Sequence, residues 1–440
     1  MSSNQHLEIV PSNITSDGTL SFRNGQPIVQ FIIGEQERHL IGQSLRLVGK
    51  FTCNSGSATN PVSTSATGLR MNEQLGVYGA ISELHISSQR TAQSIETIRH
   101  YSRMMSSYLG VTSSMEDGIS HLDETSLIDM NWGLQTRGVV ENPTQKHTSN
   151  SFCIPLVCGL LNGTEPIPLS SSWGVGGLDI AVHLSPDSNV FFSAQSGSTT
   201  NITSSFYELS DVRLICEVVT PAPDQLSRLT SSTQNVFEYN SITSQFNTIN
   251  SRNGILNFAL GVSRCLGVFI NMCPASHINN YAFDGLATLP PTNSDGSRAE
   301  IIQAVFTRGG ERFPLEYNID TLQRDDATND TMDSQIVRNY MNAVQAFSRI
   351  MRTNVSPSNN KYEDYGASYE YAKTIVDGGA KFGLGVCYDQ ISGEGVSFQE
   401  VPFGLQLTSD ISTDSPQGIW LFAHCKNTVV STSSGIQILN

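Results

Sequence analysis

The sequence predicts an all-β protein made of two tandem sheet domains, each with one amphipathic helix inserted before its closing strands. Two stretches carry this prediction, because Phe152–Val219 and Phe382–Val430 show the same succession of short strand-like runs. Composition agrees: only 15% of residues are charged, and Gly, Ser, Thr and Asn are abundant, as in turn-rich β proteins. A chain of 440 residues also exceeds one ordinary core, so two domains of roughly 200 residues are expected.

The first domain is predicted to span residues 27–220, after a polar arm at residues 1–26 that has room for one short strand. Ile28–Ile33 is β-branched and aromatic, which favours a strand. Leu45–Phe51 alternates apolar and polar residues, the pattern of a sheet with one buried face. Val77–Ile86 is predicted to resume the sheet.

A helix is predicted over Thr91–Leu109, with Ser87 or Ser88 as its cap and Gly110 as its end. Its apolar residues recur every three or four positions and form one stripe: Ile95, Ile98, Tyr101, Met105 and Tyr108. Such a stripe indicates core packing. The polar segment 111–150 that follows is predicted to be a long loop that serves as an interaction surface.

The closing strands of the first domain are predicted from three runs. Phe152–Leu161 is apolar on both faces, which indicates a strand covered on both sides. Residues 179–184 alternate, which indicates a half-exposed strand, and Val212–Val219 is rich in branched residues. Prolines then halt the sheet, and residues 221–235 are predicted to be a linker.

The second domain is predicted to span residues 236–440. Leu256–Met272 is apolar and is expected to hold two strands with bends at Gly261 and Gly267. Glu300–Phe306 and Arg312–Tyr317 are expected to form a hairpin closed by two consecutive glycines. The second helix is predicted over Thr331–Met351, with Asp330 as its cap, and a polar loop at residues 354–379 follows it.

Net charge and cysteine usage exclude several function classes. A net charge of −15 and the lack of any Lys/Arg cluster argue against a dedicated nucleic-acid binder. The eight cysteines lie mostly in apolar runs without CxxC spacing, so they are expected to be buried free thiols. The N-terminus lacks the basic start and apolar core of a signal peptide, and no stretch approaches the ~18 apolar residues of a membrane span.

No catalytic, cofactor-binding or metal-ligating residue is predicted, because no GxSxG, P-loop or HExxH motif occurs. The glycine-rich Trp173–Gly177 is interpreted as a turn between strands. Cys153, His183 and His424 fall in predicted strands without an activating context. A cluster of carboxylates before the second helix suits the positive end of that helix better than a cation site: Asp325, Asp326, Asp330 and Asp333.

The chain resembles the double jelly-roll major capsid proteins of DNA viruses, the family of adenovirus hexons and of tectivirus, virophage and polinton-like virus shell proteins. The resemblance covers nearly the whole chain. It is carried by the paired closing blocks and by the phrases FCIPLVCGLLNGTEPIPLS, YELSDVRLICEVV, LNFALGVSRCLGVFINM and SPQGIWLFAHCKNTV. It implies two tandem eight-stranded jelly rolls.

The resemblance also implies a structural protein without catalysis or cofactor. Three chains would form a homotrimer with a pseudo-hexagonal base, and trimers would tile an icosahedral shell with neighbouring capsomers, penton proteins and minor or cement proteins. An internal membrane or a host receptor stays open as a further partner, and no sequence-specific nucleic-acid binding is implied. The protein would be made in the host cytoplasm and located in the virion. Loop 111–150 is short beside hexon towers, so low towers are expected.

Two alternatives stay open from the sequence alone. The first is a carbohydrate-binding or glycan-processing β-sandwich protein, which would need an aromatic platform or a carboxylate pair. Its only candidate platform is one tyrosine cluster: Tyr362, Tyr365, Tyr369 and Tyr371. The second is a minor or vertex capsid protein, usually a single jelly roll, against which the duplication argues.

Overall fold

The computed structural model describes most of both predicted domains. The described residues are 4–13, 21–22, 27–54, 69–72, 75–112, 151–163, 165–193, 205–287, 301–314, 319–320, 383–388, 394–409, 411–412, 415–432 and 434–439. The predicted second helix Thr331–Met351, its carboxylate cluster, the tyrosine cluster and almost all of both long loops lie outside these residues.

Sixteen strands form the body of the protein, eight in each half. The first eight are β1 Asn4–Ile9, β2 Ile28–Ile33, β3 His39–Asn54, β4 Ile81–Ser88, β5 Ser94–Arg99, β6 Ser151–Pro155, β7 Leu178–Leu184 and β8 Phe206–Val219. The second eight are β9 Gln234–Ile249, β10 Asn253–Phe258, β11 Cys265–Pro274, β12 Ile301–Arg308, β13 Glu311–Arg312, β14 Leu384–Cys387, β15 Phe403–Ser409 and β16 Gln417–Thr432.

The same sheet topology occurs twice. In the first half the strand orders are β1-β8-β3-β6 and β2-β7-β4-β5, and all pairs are antiparallel. In the second half they are β9-β16-β11-β14 and β10-β15-β12-β13, so adding eight to each strand number reproduces the first half. This is the eight-stranded jelly roll of two packed four-stranded sheets. The predicted fold class and the predicted duplication are both confirmed.

Shorter elements complete the two jelly rolls. The helices are α1 Tyr101–Thr112, within the first half, and α2 Pro223–Ser231, between the two halves. A helical turn is present at Asp187–Val190, and 3₁₀ turns are present at Gly76–Ala80 and Ala275–His277. Additional strands pair at sheet margins: Ser21–Phe22, Leu69–Met71, Ile167–Pro168, Phe191–Ser193, Ile319–Asp320 and Gly435–Leu439. None of the helices in the described part of the chain has the length and hydropathy of a membrane span.

The core lies between the two sheets of each jelly roll and is continuous from one jelly roll to the other. Strand β7 shows how the sequence directs it, since its residues alternate between buried and half-buried along the whole strand, as predicted. Each cysteine that is described in full is a free thiol, and all of them except the half-buried Cys153 are buried. The prediction of burial is confirmed for the six buried cysteines and is wrong for Cys153.

The predicted helix Thr91–Leu109 is wrong in its first half. Ser94–Arg99 forms strand β5 instead, where Ile98 pairs with Leu84 of β4. The helix begins only at Tyr101 and continues past Gly110 to Thr112. The spacing of Ile95 and Ile98, three positions apart, fits a helix and an irregular strand equally well. The segment forms a strand because it pairs with the open edge of β4.

The predicted arm and linker both contribute regular structure. Strand β1 lies within the segment predicted as an arm and pairs along its whole length with β8. The predicted linker contains α2, which starts at Pro223, a residue whose fixed φ suits the first turn of a helix. Strand β9 begins at Gln234, two residues before the predicted start of the second domain.

Two predicted strands of the first domain are shorter than expected. The first four residues of Val77–Ile86 belong to the 3₁₀ turn, and β4 begins at Ile81. The strand in Phe152–Leu161 ends at Pro155. Residues 156–162 are buried turns that pack against the second jelly roll.

In the second domain Gly261 marks a break between strands, as predicted, whereas the bend predicted at Gly267 is wrong as a strand break, because Gly267 lies within β11 at a register shift of its pairing with β16. Leu256–Met272 contains parts of β10 and β11, separated by a break in which Gly261 has a φ of 64°. Gly309 and Gly310 have φ values of 61° and 89° and close the hairpin between β12 and β13. Glycine reaches this left-handed region without steric cost, which explains why the two-residue turn forms here.

Candidate functional site: the seam between the jelly rolls

The two jelly rolls meet along one line of contact, here called the seam. It is formed by edge strand β5 of the first jelly roll and edge strand β9 of the second. The strands are joined by three hydrogen bonds that each use one side chain. Arg99 N donates to Ser244 Oγ (2.9 Å), the Tyr239 hydroxyl donates to Ile95 O (2.7 Å), and Ile242 N donates to Glu96 Oε1 (2.8 Å). Both edges are thereby protected from pairing with other chains at these positions.

Glu96 is the centre of the seam. Its side chain is 3% exposed, and its carboxylate also accepts hydrogen bonds from Gly159 N (3.0 Å) and Leu160 N (2.8 Å). One carboxylate therefore connects β5, the turn after β6, and the first strand of the other jelly roll. Burial raises the pKa of the Glu96 carboxyl to about 7, against the lowering effect of its backbone N–H donors.

The close approach of the two jelly rolls requires glycine at position 159. A Cβ atom placed on Gly159 would lie 2.0 Å from the Asn240 carbonyl oxygen, far inside any normal contact. This carbonyl belongs to β9, so the absence of a side chain sets the distance between the jelly rolls. Tyr101 stabilises the same turn, because its hydroxyl accepts a hydrogen bond from Val157 N at 2.7 Å.

Helix α1 extends the seam over the second jelly roll. The Arg103 guanidinium is 5% exposed, lies 4.0 Å from the centre of the Trp420 ring, and donates to Gly285 O and Ala287 O (3.1 Å). From below, Asn271 Nδ2 of β11 donates to Arg103 O (2.9 Å) and to Ser107 Oγ (2.7 Å). Helix α1 thus lies in the part of the chain that forms the first jelly roll, but its side chains contact both jelly rolls.

Two further contacts lie away from β5 and β9. Asn72 Nδ2 donates to Asp284 Oδ2 at 2.7 Å, and burial raises the pKa of the Asp284 carboxyl. The Ser431 hydroxyl, which is 1% exposed, donates to Gly174 O at 2.8 Å, within the turn predicted at Trp173–Gly177. The seam is therefore a buried polar network with many partners, and it fixes one arrangement of the two jelly rolls.

A pH dependence of stability is expected from Glu96. Since its pKa is higher in the folded chain than in the unfolded chain, its contribution is greatest below about pH 4.5. As the pH rises to about 7 this contribution is lost, and the free energy of unfolding falls by about 3 kcal/mol in all. We expect urea unfolding at pH 5 and pH 8 to show this loss in the wild type and not in Glu96→Gln.

Comparing the two proteins removes the effect of other titrating groups, since His100 and His277, whose pKa values burial lowers to about 4, are present in both. Equal pH profiles for wild type and Glu96→Gln would contradict the prediction.

Residues weighed for chemistry in the sequence do not come together. His183 and His424 lie on β7 and β16, in different jelly rolls, and Cys153 lies on β6. Within the described ranges, no group of three or more His, Cys, Asp or Glu side chains is arranged to hold a metal ion. The seam residues Glu96 and Arg103 were missed, because they sit among the polar positions of what was predicted as one amphipathic helix. A carboxylate between two isoleucines was the available signal.

No protein-family model matches the chain, and no curated protein matches it. Solved structures do match. Faustovirus major capsid protein has a TM-score of 0.55 at 11% identity, with 97% of this chain and 90% of that chain covered. PBCV-1 VP54, in a structure fitted into a reconstruction of the virophage Sputnik, has a TM-score of 0.53 at 9% identity, covering 100% and 97%.

The chain has the double jelly-roll fold of viral major capsid proteins. A chain from the Sputnik virophage structure matches similarly, with a TM-score of 0.53, 9% identity and coverage of 99% and 88%. Because the match covers nearly the whole length of this chain, both halves take part in the likeness.

Proposed function

We propose that this protein is the major capsid protein of a DNA virus, and that it has a structural role without catalysis. The observation that carries the proposal is the double jelly roll itself, with the two halves held by a buried seam. A single-jelly-roll minor or vertex protein would have no second copy of the strand order. The described residues offer no observation that favours the carbohydrate-binding alternative.

We further propose that three chains form a closed ring of six jelly rolls. The seam supports this, because it joins the fifth strand of one jelly roll, β5, to the first strand of the next, β9. The equivalent strands in the opposite halves are β13, the fifth strand of the second jelly roll, and β1, the first strand of the first jelly roll. Each of these two strands pairs with a neighbour on one side only in the described sheets. When each chain uses one surface to contact a different surface of the next chain, successive chains form a ring if the rotations between them add up to a full turn.

On this proposal the ring is the capsomer of a virion shell, which contacts neighbouring capsomers, penton proteins and minor proteins. Domain boundaries near α2 and synthesis in the host cytoplasm are part of the same proposal. The net charge of −15 suits a shell protein that leaves genome packaging to other proteins.

The expected mass in solution is three times 47.9 kDa, or about 144 kDa, measured by light scattering after size exclusion. Electron microscopy of the same fraction should show a pseudo-hexagonal outline. A monodisperse monomer at micromolar concentration would contradict the trimer.

A disulfide test locates the contact between chains. In a chain carrying both Gln5→Cys on β1 and Glu311→Cys on β13, mild oxidation is expected to link three copies covalently, as seen on a non-reducing gel. Either substitution alone should give no link, because the two edges are different surfaces. A further double variant, Gln5→Cys with Arg228→Cys on the exposed helix α2, is the matched control. A trimer that forms without this link would exclude β1 and β13 as the contact.

A further inference from the structure

A cavity of about 260 Å³ opens between the jelly rolls at the start of helix α1. Both jelly rolls contribute to its wall, and we call it the α1 cavity. The residues that matter here are His100, Ser102, Arg103, Ser185, Phe246 and Trp420. Its volume suits a small molecule or one functional group of a larger one. The seam contacts described above do not fill it.

The N-terminus of α1 lies at this cavity. The helix has twelve residues and starts at Tyr101, immediately after His100, which adopts a left-handed φ of 57°. Met104 N donates to His100 O (3.1 Å), so the N–H groups before it have no carbonyl of their own helix to bind. Such N–H groups and the helix dipole together favour a negative charge at this end.

Two serine hydroxyls at the cavity have no hydrogen-bond partner within the described part of the chain. Ser102 is 5% exposed and Ser185 is 3% exposed, and both line the α1 cavity. Neither side chain makes a hydrogen bond to any residue in the described part of the chain, although the backbone of Ser185 is fully used by Ala80 and Tyr207. The two hydroxyls come from separate elements and line the same cavity, so both can donate hydrogen bonds to a ligand with acceptor oxygens.

The surrounding charges favour an anion. Burial and the positive charges of Arg103 and Arg99 lower the pKa of His100 to about 4, so its ring is neutral at pH 7 in a positive environment. Burial raises the pKa of the Asp284 carboxyl, while the positive charge of Arg103 acts in the lowering direction. Phe246, which is 44% exposed, and Trp420 form an aromatic wall at the same opening.

We propose that the α1 cavity binds a small oxyanion, a phosphate or a carboxylate group. Its oxygens accept hydrogen bonds from the Ser102 and Ser185 hydroxyls and from the first N–H groups of α1. The proposal does not depend on the capsid role, because it concerns a cavity within one chain.

Calorimetric titration of the full chain with inorganic phosphate, and separately with acetate, tests this at constant ionic strength maintained with KCl. Trp420 in the wall provides a second readout through tryptophan fluorescence. We expect saturable binding of at least one of the two anions, and the stronger binder identifies which group the cavity prefers. Ser102→Ala and Ser185→Ala are each expected to weaken it about tenfold, the effect of one hydrogen bond to a charged group.

Ser106→Ala is the matched control. Ser106 lies on the same helix and is equally buried, but its hydroxyl donates to Arg103 O and is not part of the cavity wall. Its affinity for the anion should equal that of the wild type. No saturable binding of either anion, or unchanged affinity in both Ser102→Ala and Ser185→Ala, would overturn the proposal. Thermal unfolding of each variant separates loss of binding from loss of fold.

Discussion

Replacement of Glu96 by alanine is expected to lower the free energy of unfolding by about 4 kcal/mol at pH 5. Three backbone N–H groups, those of Gly159, Leu160 and Ile242, would lose their acceptor while still buried. Each such group costs about 1–3 kcal/mol when it is left buried without an acceptor. Urea unfolding at fixed pH measures the loss, and pH 5 is chosen because the wild-type carboxyl is then largely protonated.

The matched control for this substitution is Glu208→Ala. Glu208 also lies on a strand of the first jelly roll and is half-buried, but its side chain makes no hydrogen bond or ion pair in the described structure. We expect a change within about 0.5 kcal/mol, as for most substitutions away from special features. If Glu96→Ala cost no more than Glu208→Ala, the carboxylate would not be the centre of the seam.

Gly159→Ala is expected to cost about 3 kcal/mol. The added methyl group would lie 2.0 Å from the Asn240 carbonyl oxygen and 2.3 Å from its carbon, so β9 or the turn at Gly159 must move. Backbone atoms on both sides leave no flexible side chain to give way, which places this change at the costly end of overpacking. The displacement would also lengthen the hydrogen bond from Gly159 N to Glu96.

Gly34→Ala controls for the effect of alanine on the unfolded chain. A Cβ atom at Gly34 would meet nothing within 4 Å, and its φ is not left-handed, so this change should be neutral or slightly stabilising. The double variant Glu96→Ala with Gly159→Ala gives a further check. Since both changes disrupt one contact, their combined cost should be clearly less than the sum of the two. Strict additivity would mean that they act at separate places.

Much of the fold was predictable because it depends on local patterns. Strand β7 was predicted from its alternation, the hairpin of β12 and β13 from two glycines, and the break between β10 and β11 from Gly261. The duplication was visible because closing strands buried in a sandwich have to be apolar in both copies. These signals act within a few residues, so they need no knowledge of the partner strands.

What the sequence alone determined was therefore the two jelly rolls and the resemblance that they carry. The tertiary structure decided the state of Ser94–Arg99, which pairs as β5 because β4 offers it an open edge. It also decided that Glu96, Gly159 and Ile242, which are far apart in the sequence, meet at one carboxylate. The physical reason is that the partners of a buried polar group depend on how the two folded jelly rolls pack against each other. No local periodicity records that geometry.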